Sequence, residues 1–307
     1  MIRQPNFFIV GAPKCGTTSL SKYLGQHPNV FFCSPKEPYY FATDFHRHHY
    51  VDNLADYLAL FSTASSEQLA IGEGSAGYMY STDAIPRIME FNDQAKLIVM
   101  LRNPIEIAHA MHSQAVFDTV EDVEDFQTAW ELQSEREHGR NVPPGCHNVK
   151  VLLYKKLASV GEQLERLYKV VPHRQVKVIT LDEFIATPRP IYDGVCEFLG
   201  IPSDGRTEFI PFNESKRNRF RVLGELVSRP PRSLLWGAQV IKRVFGIRRL
   251  GVVDAIRSVN VVKRRRTPLA PDFRSQLAEE FCDDVARLSA VMQRDFSAWV
   301  RIENRAA

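Results

Sequence analysis

Lys14 stands in a short loop bounded by Gly11 and Gly16, and Thr17, Thr18 and Ser19 follow it directly. Glycines at those two places let the backbone turn tightly and approach an anion closely. A helix beginning after Gly16 points its first N–H groups at that anion, and the hydroxyls add further donors. Lys14 precedes Gly16 by two residues, whereas the usual triphosphate loop carries its lysine just after the second glycine. A lysine placed so early reaches over the distal group of the ligand. A triphosphate loop also needs magnesium, held by a loop Ser or Thr and by an acid on a neighbouring strand. Here the apolar run Lys96 to Leu101 ends in Arg102, so no magnesium partner stands in the expected place. An ordinary strand-to-helix turn is the alternative reading of the loop.

Two further stretches carry chemistry. In "KLIVMLRNPIE" Arg102 closes a buried run just before a proline-started helix. In open α/β sheets that edge is where ligands bind, and arginine grips phosphate with a bidentate fork. A surface arginine capping a neighbouring helix is the competing reading. In "CSPKEPYYF" Lys36 and Glu37 are adjacent after a second strand, with Tyr39, Tyr40 and Phe41 able to wall a pocket. A carboxylate beside a cationic anion site can take a proton from an acceptor hydroxyl, although loop charges are more often simply solvated.

The elements that must position these residues are legible as short apolar runs. Asn6–Val10, Val30–Cys33, Leu69–Ile71, Lys96–Leu101 and Val176–Leu181 read as buried strands, with helical patterns between them. That alternation predicts an α/β fold: three layers, a mainly parallel central sheet with helices on both faces, in P-loop NTPase-like architecture. Helices are expected from Ser19 to Leu24, Asp83 to Phe91, after Pro104, Tyr154 to Val171, Pro190 to Leu199, and Pro271 to Val300. On the last, Phe273, Leu277, Phe281, Val285, Leu288 and Met292 share one face.

At 307 residues and 44% hydrophobic, the chain can bury a large core without disulfides or metal. It reads as a single domain over 1–307 with a basic helical insertion at about 215–268. Between Glu214 and Arg266 there are 15 Lys and Arg against three acids, a net charge of about +12. Leu234, Leu235, Ala238, Ile241 and Phe245 fall on one face of this stretch, ringed by Lys242, Arg243, Arg248 and Arg249. Such a helix could lie on an anionic membrane surface, cover a pocket, or dock on the core. The five cysteines are scattered and never in a C-x-x-C pair, which argues against a disulfide framework and a thiolate zinc site. With no signal peptide or membrane-length apolar run visible, a cytoplasmic location is expected. His46, His48 and His49 could bind metal but read more simply as a solvated loop, and His109 or His112 could supply an alternative base or be packed. Glu73 and Ser75 could touch an acceptor, orient Lys14, or hydrogen-bond structurally.

Together the three chemical stretches resemble one family. "APKCGTTSL" is similar to the 5′-phosphosulfate loop of sulfotransferases that use 3′-phosphoadenosine 5′-phosphosulfate (PAPS), and "LRNPIE" to their 3′-phosphate segment. "PKEPYYF" resembles the K-E-x-x-x-F stretch of the heparan-sulfate-type carbohydrate sulfotransferases and their bacterial relatives. "GEGSAGYMYS", "GEQLERLYKVVPHRQVKVITLDEF" and "DDVARLSAVMQRDFSAW" continue the likeness. It implies PAPS contacts from Pro13, Lys14, Cys15, Gly16, Thr17, Thr18, Ser19 and Arg102. The family's serine eight residues after the arginine is Ala110 here, with Ser113 one helical turn on, and the arginine common at five residues is Ile107. Lys216, Arg217 or Arg219 could close over the 3′-phosphate.

The resemblance implies sulfuryl transfer to a hydroxyl, or alternatively an amine, of a glycan, glycolipid or small metabolite. Lys14 would stabilise the leaving oxygen, Thr17 and Thr18 hold the 5′-phosphate, Glu37 act as general base and Lys36 polarise the sulfuryl group. A sulfate monoanion carries less charge than a terminal phosphate, so lysine and backbone N–H groups suffice and no metal is required. The competing readings are a P-loop kinase or nucleotide triphosphatase, and a non-catalytic anion- or membrane-binding module. No aromatic-interleaved nucleic-acid motif accompanies the basic stretch, so no nucleic acid is expected beyond the nucleotide donor.

Overall fold

The computed structural model describes residues 3–45, 51–210, 216–218, 261–263 and 266–302. The five expected strands all form: β1 Phe7–Gly11, β2 Val30–Phe32, β3 Ala70–Gly74, β4 Lys96–Leu101 and β5 Val176–Thr180. They build one parallel sheet in the order β2-β3-β1-β4-β5. β1 is central and buried along its whole length, as a run of Phe, Ile and Val without a polar face requires. β3 runs further than its apolar residues suggest, carrying Glu73 and Gly74 inside the sheet.

The connection from β1 travels to the β2 edge, whereas that from β3 travels the other way to β4. Right-handed crossovers therefore place helix α1 (Thr17–Leu24) and helix α3 (Ala84–Phe91) on opposite faces. The reversal between β1 and β3 makes a switch point, and α/β sheets open a crevice there beyond the strand C-termini. Helix α2 (Leu54–Ala59) lies between β2 and β3 in sequence. Helix α4 (Pro104–Phe117) begins at its proline, with the Asn103 side chain accepting from the N–H of Ile105 at 2.9 Å.

The expected helix from Tyr154 to Val171 is two helices, α7 (Tyr154–Ala158) and α8 (Val160–Tyr168). The break at Ser159 has a tertiary cause. The carboxylate of Asp284 accepts from the backbone N–H groups of Gly161 and Glu162, each at 2.9 Å, and so caps α8 from another helix. A Cβ on Gly161 would sit 2.1 Å from the carbonyl oxygen of Asp284, so only glycine permits this approach. Helix α9 (Leu181–Ala186) opens with a capping box between Thr180 and Glu183, and α10 (Pro188–Leu199) stops at Gly200 in the left-handed region. The C-terminal helix, numbered α11 here (Pro271–Met292), ends before a 3₁₀ turn at Ser297–Val300. Its face of Phe273, Leu277, Phe281, Val285 and Leu288 is buried.

The chain divides into two compact units. The first comprises Met1–His109, Tyr154–Asn213 and Leu269–Ala307; the second comprises Ala110–Leu153 and Glu214–Pro268. The expected insertion thus falls in the second unit, together with short helices α5 (Phe126–Glu131) and α6 (Gln133–Glu137). At its two ends, β6 (Lys216–Asn218) pairs antiparallel with β7 (Val261–Lys263). The expected basic helical face from Leu234 onward lies outside the described residues. Within this unit Arg136 forks onto Glu121 at 2.6 and 2.7 Å, both side chains fully buried. His112 is buried there too, its ring 2.9 Å from the carbonyl of Val123 and against Phe126, and burial lowers its pKa. It is a packed histidine. No described helix is long and apolar enough to cross a membrane.

Candidate active site

Four segments at the C-terminal edges of β1, β2, β3 and β4 carry the chemical residues. β1 ends in Gly11, and the loop to α1 is tied to β4 by the N–H of Ala12 donating to Met100 at 2.7 Å. Gly16 is the N-cap of α1, with φ 88 and no side chain capping the first turn. The left-handed backbone favours glycine, and a Cβ there would stand 2.9 Å from a methyl of Leu181, which would have to shift. The first-turn N–H groups of an uncapped helix are donors suited to an anion. α1 starts two residues earlier than its apolar pattern suggests, so Thr17 and Thr18 are in that first turn.

Lys14 sits at φ 63, and Arg102 brings a guanidinium nitrogen to 3.5 Å from the Lys14 carbonyl. Arg102 is also fastened to Glu106 at 3.2 Å, and Glu106 receives Arg274 at 3.4 Å. The arginine is therefore aimed by its neighbours and stands beside the loop, not on a remote helix end. Cys15 and Ser19 point inward. The Cys15 thiol is fully buried, which pushes its pKa far above the usual thiol value. The Ser19 hydroxyl serves the Tyr23 phenol, whose pKa burial raises. The N–H of Ser19 donates to the Gly16 carbonyl at 3.0 Å.

After β2, Lys36 and Glu37 form an ion pair at 2.6 Å, with side chains 22% and 38% exposed. Both groups therefore reach solvent while being held. Glu37 (φ 67) and Tyr39 (φ 54) adopt the left-handed region that side-chain-bearing residues avoid. Each such residue costs on the order of 1–3 kcal/mol and persists where surrounding structure enforces it. The Tyr39 hydroxyl bonds to Glu37, and burial first, then the Glu37 charge, raise the phenol pKa well above its usual value.

The residue at the centre of this enforcement is Glu73. It is fully buried at the end of β3 and accepts from the hydroxyls of Tyr78 at 2.8 Å, Ser75 at 2.8 Å and Tyr57 at 3.1 Å. Burial raises its pKa to about 7, opposed by these three hydrogen bonds and by the charge of Lys36. Of the readings open in the sequence for Glu73 and Ser75, the structure shows hydrogen bonding. Tyr57 escaped sequence reading altogether. It lies on α2, in an interval whose local pattern carries no chemical signal, and only the fold brings it under β3.

Of the remaining expected donor contacts, Pro13 is half-buried in the loop. Ser113 lies on α4 in the second unit, as does Ala110, which is buried. The backbones of Lys216 and Arg217 are paired in β6, and their side chains lie outside the described residues. The histidines 46, 48 and 49 also lie outside them. Among the described residues, no group of three or more His, Cys, Asp or Glu side chains is placed to hold a metal ion.

A parallel sheet whose switch point carries an uncapped, cation-bearing loop, with an acid–lysine pair on a neighbouring edge, defines an α/β protein built around an anion site. Comparison with known proteins then places the chain more narrowly. The family model described as "Sulfotransferase domain" matches residues 4–226, and the chain belongs to that family. It is 36% identical over 145 aligned positions to mouse (Mus musculus) carbohydrate sulfotransferase 15, covering 33% of this chain and 26% of that protein. It is 26% identical over 229 positions to the mouse bifunctional heparan sulfate N-deacetylase/N-sulfotransferase 3, covering 70% of this chain and 24% of that protein. The chain thus spans about a quarter of the length of these two relatives. A crystal structure of a sulfotransferase from Alicyclobacillus acidocaldarius superposes with a TM-score of 0.70 at 26% identity, over 98% of this chain and 100% of that one.

Proposed function

We propose that the chain transfers a sulfuryl group from PAPS to a hydroxyl of a glycan or small metabolite. The observation that carries this reading is the pairing of two cations on one uncapped loop: Lys14 within it and Arg102 at 3.5 Å from its carbonyl. Family membership supplies the group transferred, and the named glycan-sulfating relatives support the acceptor class.

The acceptor oxygen attacks sulfur in line, the bond from sulfur to the bridging oxygen breaks, and the pair of electrons leaves with the 5′-phosphate. Glu37 takes the hydroxyl proton, and Lys36, at 2.6 Å from it, directs its ammonium toward the same place. Lys14 balances the charge that grows on the bridging oxygen. Thr17, Thr18 and the backbone N–H groups at the start of α1 hold the 5′-phosphate, and Arg102 grips the 3′-phosphate with a geometry suited to a bidentate fork. The scattered cysteines, with no C-x-x-C pair in the sequence, support a reducing, cytoplasmic setting for this work.

The test is a transfer assay with ³⁵S-labelled PAPS against heparan, chondroitin and small hydroxyl acceptors, with binding of 3′-phosphoadenosine 5′-phosphate (PAP) measured calorimetrically. Label moves to an acceptor, and EDTA leaves the rate unchanged. Absence of both PAP binding and transfer refutes the reading, and a rate abolished by EDTA and restored by magnesium favours a phosphoryl-transfer enzyme instead.

A further inference from the structure

The three residues whose hydroxyls converge on Glu73 each meet one of three consecutive residues on the Lys36–Glu37 loop, two by a hydrogen bond and one by ring stacking. The Ser75 hydroxyl donates to Glu73 at 2.8 Å and accepts the N–H of Tyr39 at 3.2 Å. The Tyr78 hydroxyl donates to Glu73 at 2.8 Å and accepts the N–H of Phe41 at 3.3 Å. Tyr57, the third donor, stacks its ring on Tyr40 at 4.5 Å between centroids and an interplanar angle of 14°. Tyr39 in turn bonds Glu37 through its phenol. A side chain that presents acceptor oxygen to these hydroxyls suits this pattern. The two Glu73 oxygens accept from all three hydroxyls, so the protons of Ser75 and Tyr78 are used inward and their oxygens are left to receive N–H groups from the loop.

We propose that Glu73 is a positioning residue for the transfer reaction: through Ser75, Tyr57 and Tyr78 it sets the backbone of Tyr39–Phe41, and thereby the place of Glu37. It touches neither donor nor acceptor. The left-handed backbone at Glu37 and Tyr39 is what this scaffold maintains against its intrinsic cost. Lys36 belongs to the same assembly, since its stem passes over Gly74, one residue beyond Glu73, with Cε 3.6 Å from where a Cβ would stand. The inference rests on the reading of Glu37 as proton acceptor, but its structural half does not.

The experiment compares the full chain with Glu73→Ala and Glu73→Gln by hydrogen exchange and kinetics. In Glu73→Ala, exchange rises in peptides covering residues 35–45 and is unchanged in peptides covering residues 7–24. Labelled transfer from PAPS falls tenfold to a hundredfold in kcat, as a sub-ångström misplacement of a reacting group predicts, while PAP affinity stays within about twofold. Glu73→Gln retains an oxygen for both tyrosines, so it restores most of the protection and rate. Exchange in 35–45 equal to wild type in the Ala variant overturns the proposal. So does a Gln variant indistinguishable from Ala, or a loss of protection spread equally over residues 7–24. If Glu73→Ala does not fold, Ser75→Ala and Tyr78→Phe replace it, each expected to deprotect residues 35–45 alone and each refuting the proposal by leaving them unchanged. A wild-type chain that neither binds PAP nor transfers label defeats the sulfotransferase reading, whereas the exchange data judge Glu73 separately.

Discussion

Replacing Glu73 by glutamine makes stability less dependent on pH, and the size of the change follows from where the carboxyl sits. Buried beneath the sheet edge, it holds its proton up to a pKa of about 7 instead of the ordinary 4.5, because burial outweighs three hydrogen bonds and the nearby Lys36 charge. Between those two values the folded chain keeps a proton that the unfolded chain has already released. Unfolding free energy therefore falls as pH rises through this window, by about 3 kcal/mol in total. Below it the carboxyl is neutral in both states and the contribution is constant. Glutamine has the same shape and no such proton, so the stability of Glu73→Gln relative to wild type should rise by about 3 kcal/mol between about pH 4 and about pH 8. Urea unfolding at a series of pH values, followed by far-ultraviolet circular dichroism, measures this difference directly, and titrations common to both chains cancel. A difference flat to within about 0.5 kcal/mol refutes the reasoning, because it means the three hydroxyls and Lys36 fully offset the burial. A difference that shrinks with pH refutes it more strongly, by placing the folded pKa below the unfolded one.

Glu37→Gln should lower kcat for labelled transfer by two to four orders of magnitude while leaving PAP affinity intact, as the loss of a proton acceptor outside the donor loop requires. Arg102→Ala should weaken PAP binding by about 1.5–3 kcal/mol, the worth of a hydrogen bond to a charged group, read by calorimetry; unchanged affinity would remove Arg102 from the donor site. Arg136→Met should destabilise the chain by about 3–5 kcal/mol in urea unfolding, since it leaves Glu121 buried without its partner. The double variant Glu121→Leu, Arg136→Met should recover only part of that loss, because the N–H groups of Asp122 and Val123 and the carbonyl of Asn141 then lose their side-chain partners.

What sequence made legible here was local chemistry and local hydrophobicity. The loop around Lys14, the arginine closing β4 and the Lys36–Glu37 pair all announce themselves by residue type and spacing, and the five strands by apolar runs. What remained hidden depends on contacts between distant segments. β3 reads as ending at Ile71 because Glu73 interrupts the apolar run, yet its charge is accommodated by hydroxyls from residues 57, 75 and 78. The helix after Tyr154 reads as continuous because nothing nearby reveals that Asp284, more than a hundred residues on, caps its second half. In both cases an acid, buried at Glu73 and half-buried at Asp284, is satisfied by partners that only the fold supplies, and hydrophobic periodicity has no means of registering such a group. The inward turn of Cys15 and Ser19 is hidden for the same reason, since a motif specifies residue order without saying which side chains face the ligand.

The short ladder between β6 and β7 brings the two ends of the basic stretch together. Asn218 and Val261 are directly opposite one another, so the chain leaves the ladder and returns to it about 5 Å away. Forty-two residues, 219–260, lie between these two positions in the sequence. Loop closure grows more costly only slowly with length, so the ladder tolerates a wide range of lengths between its two strands. A tight Asn-Gly turn spans the same gap. A change in the length of 219–260 is therefore expected to leave the pairing of β6 with β7 in place.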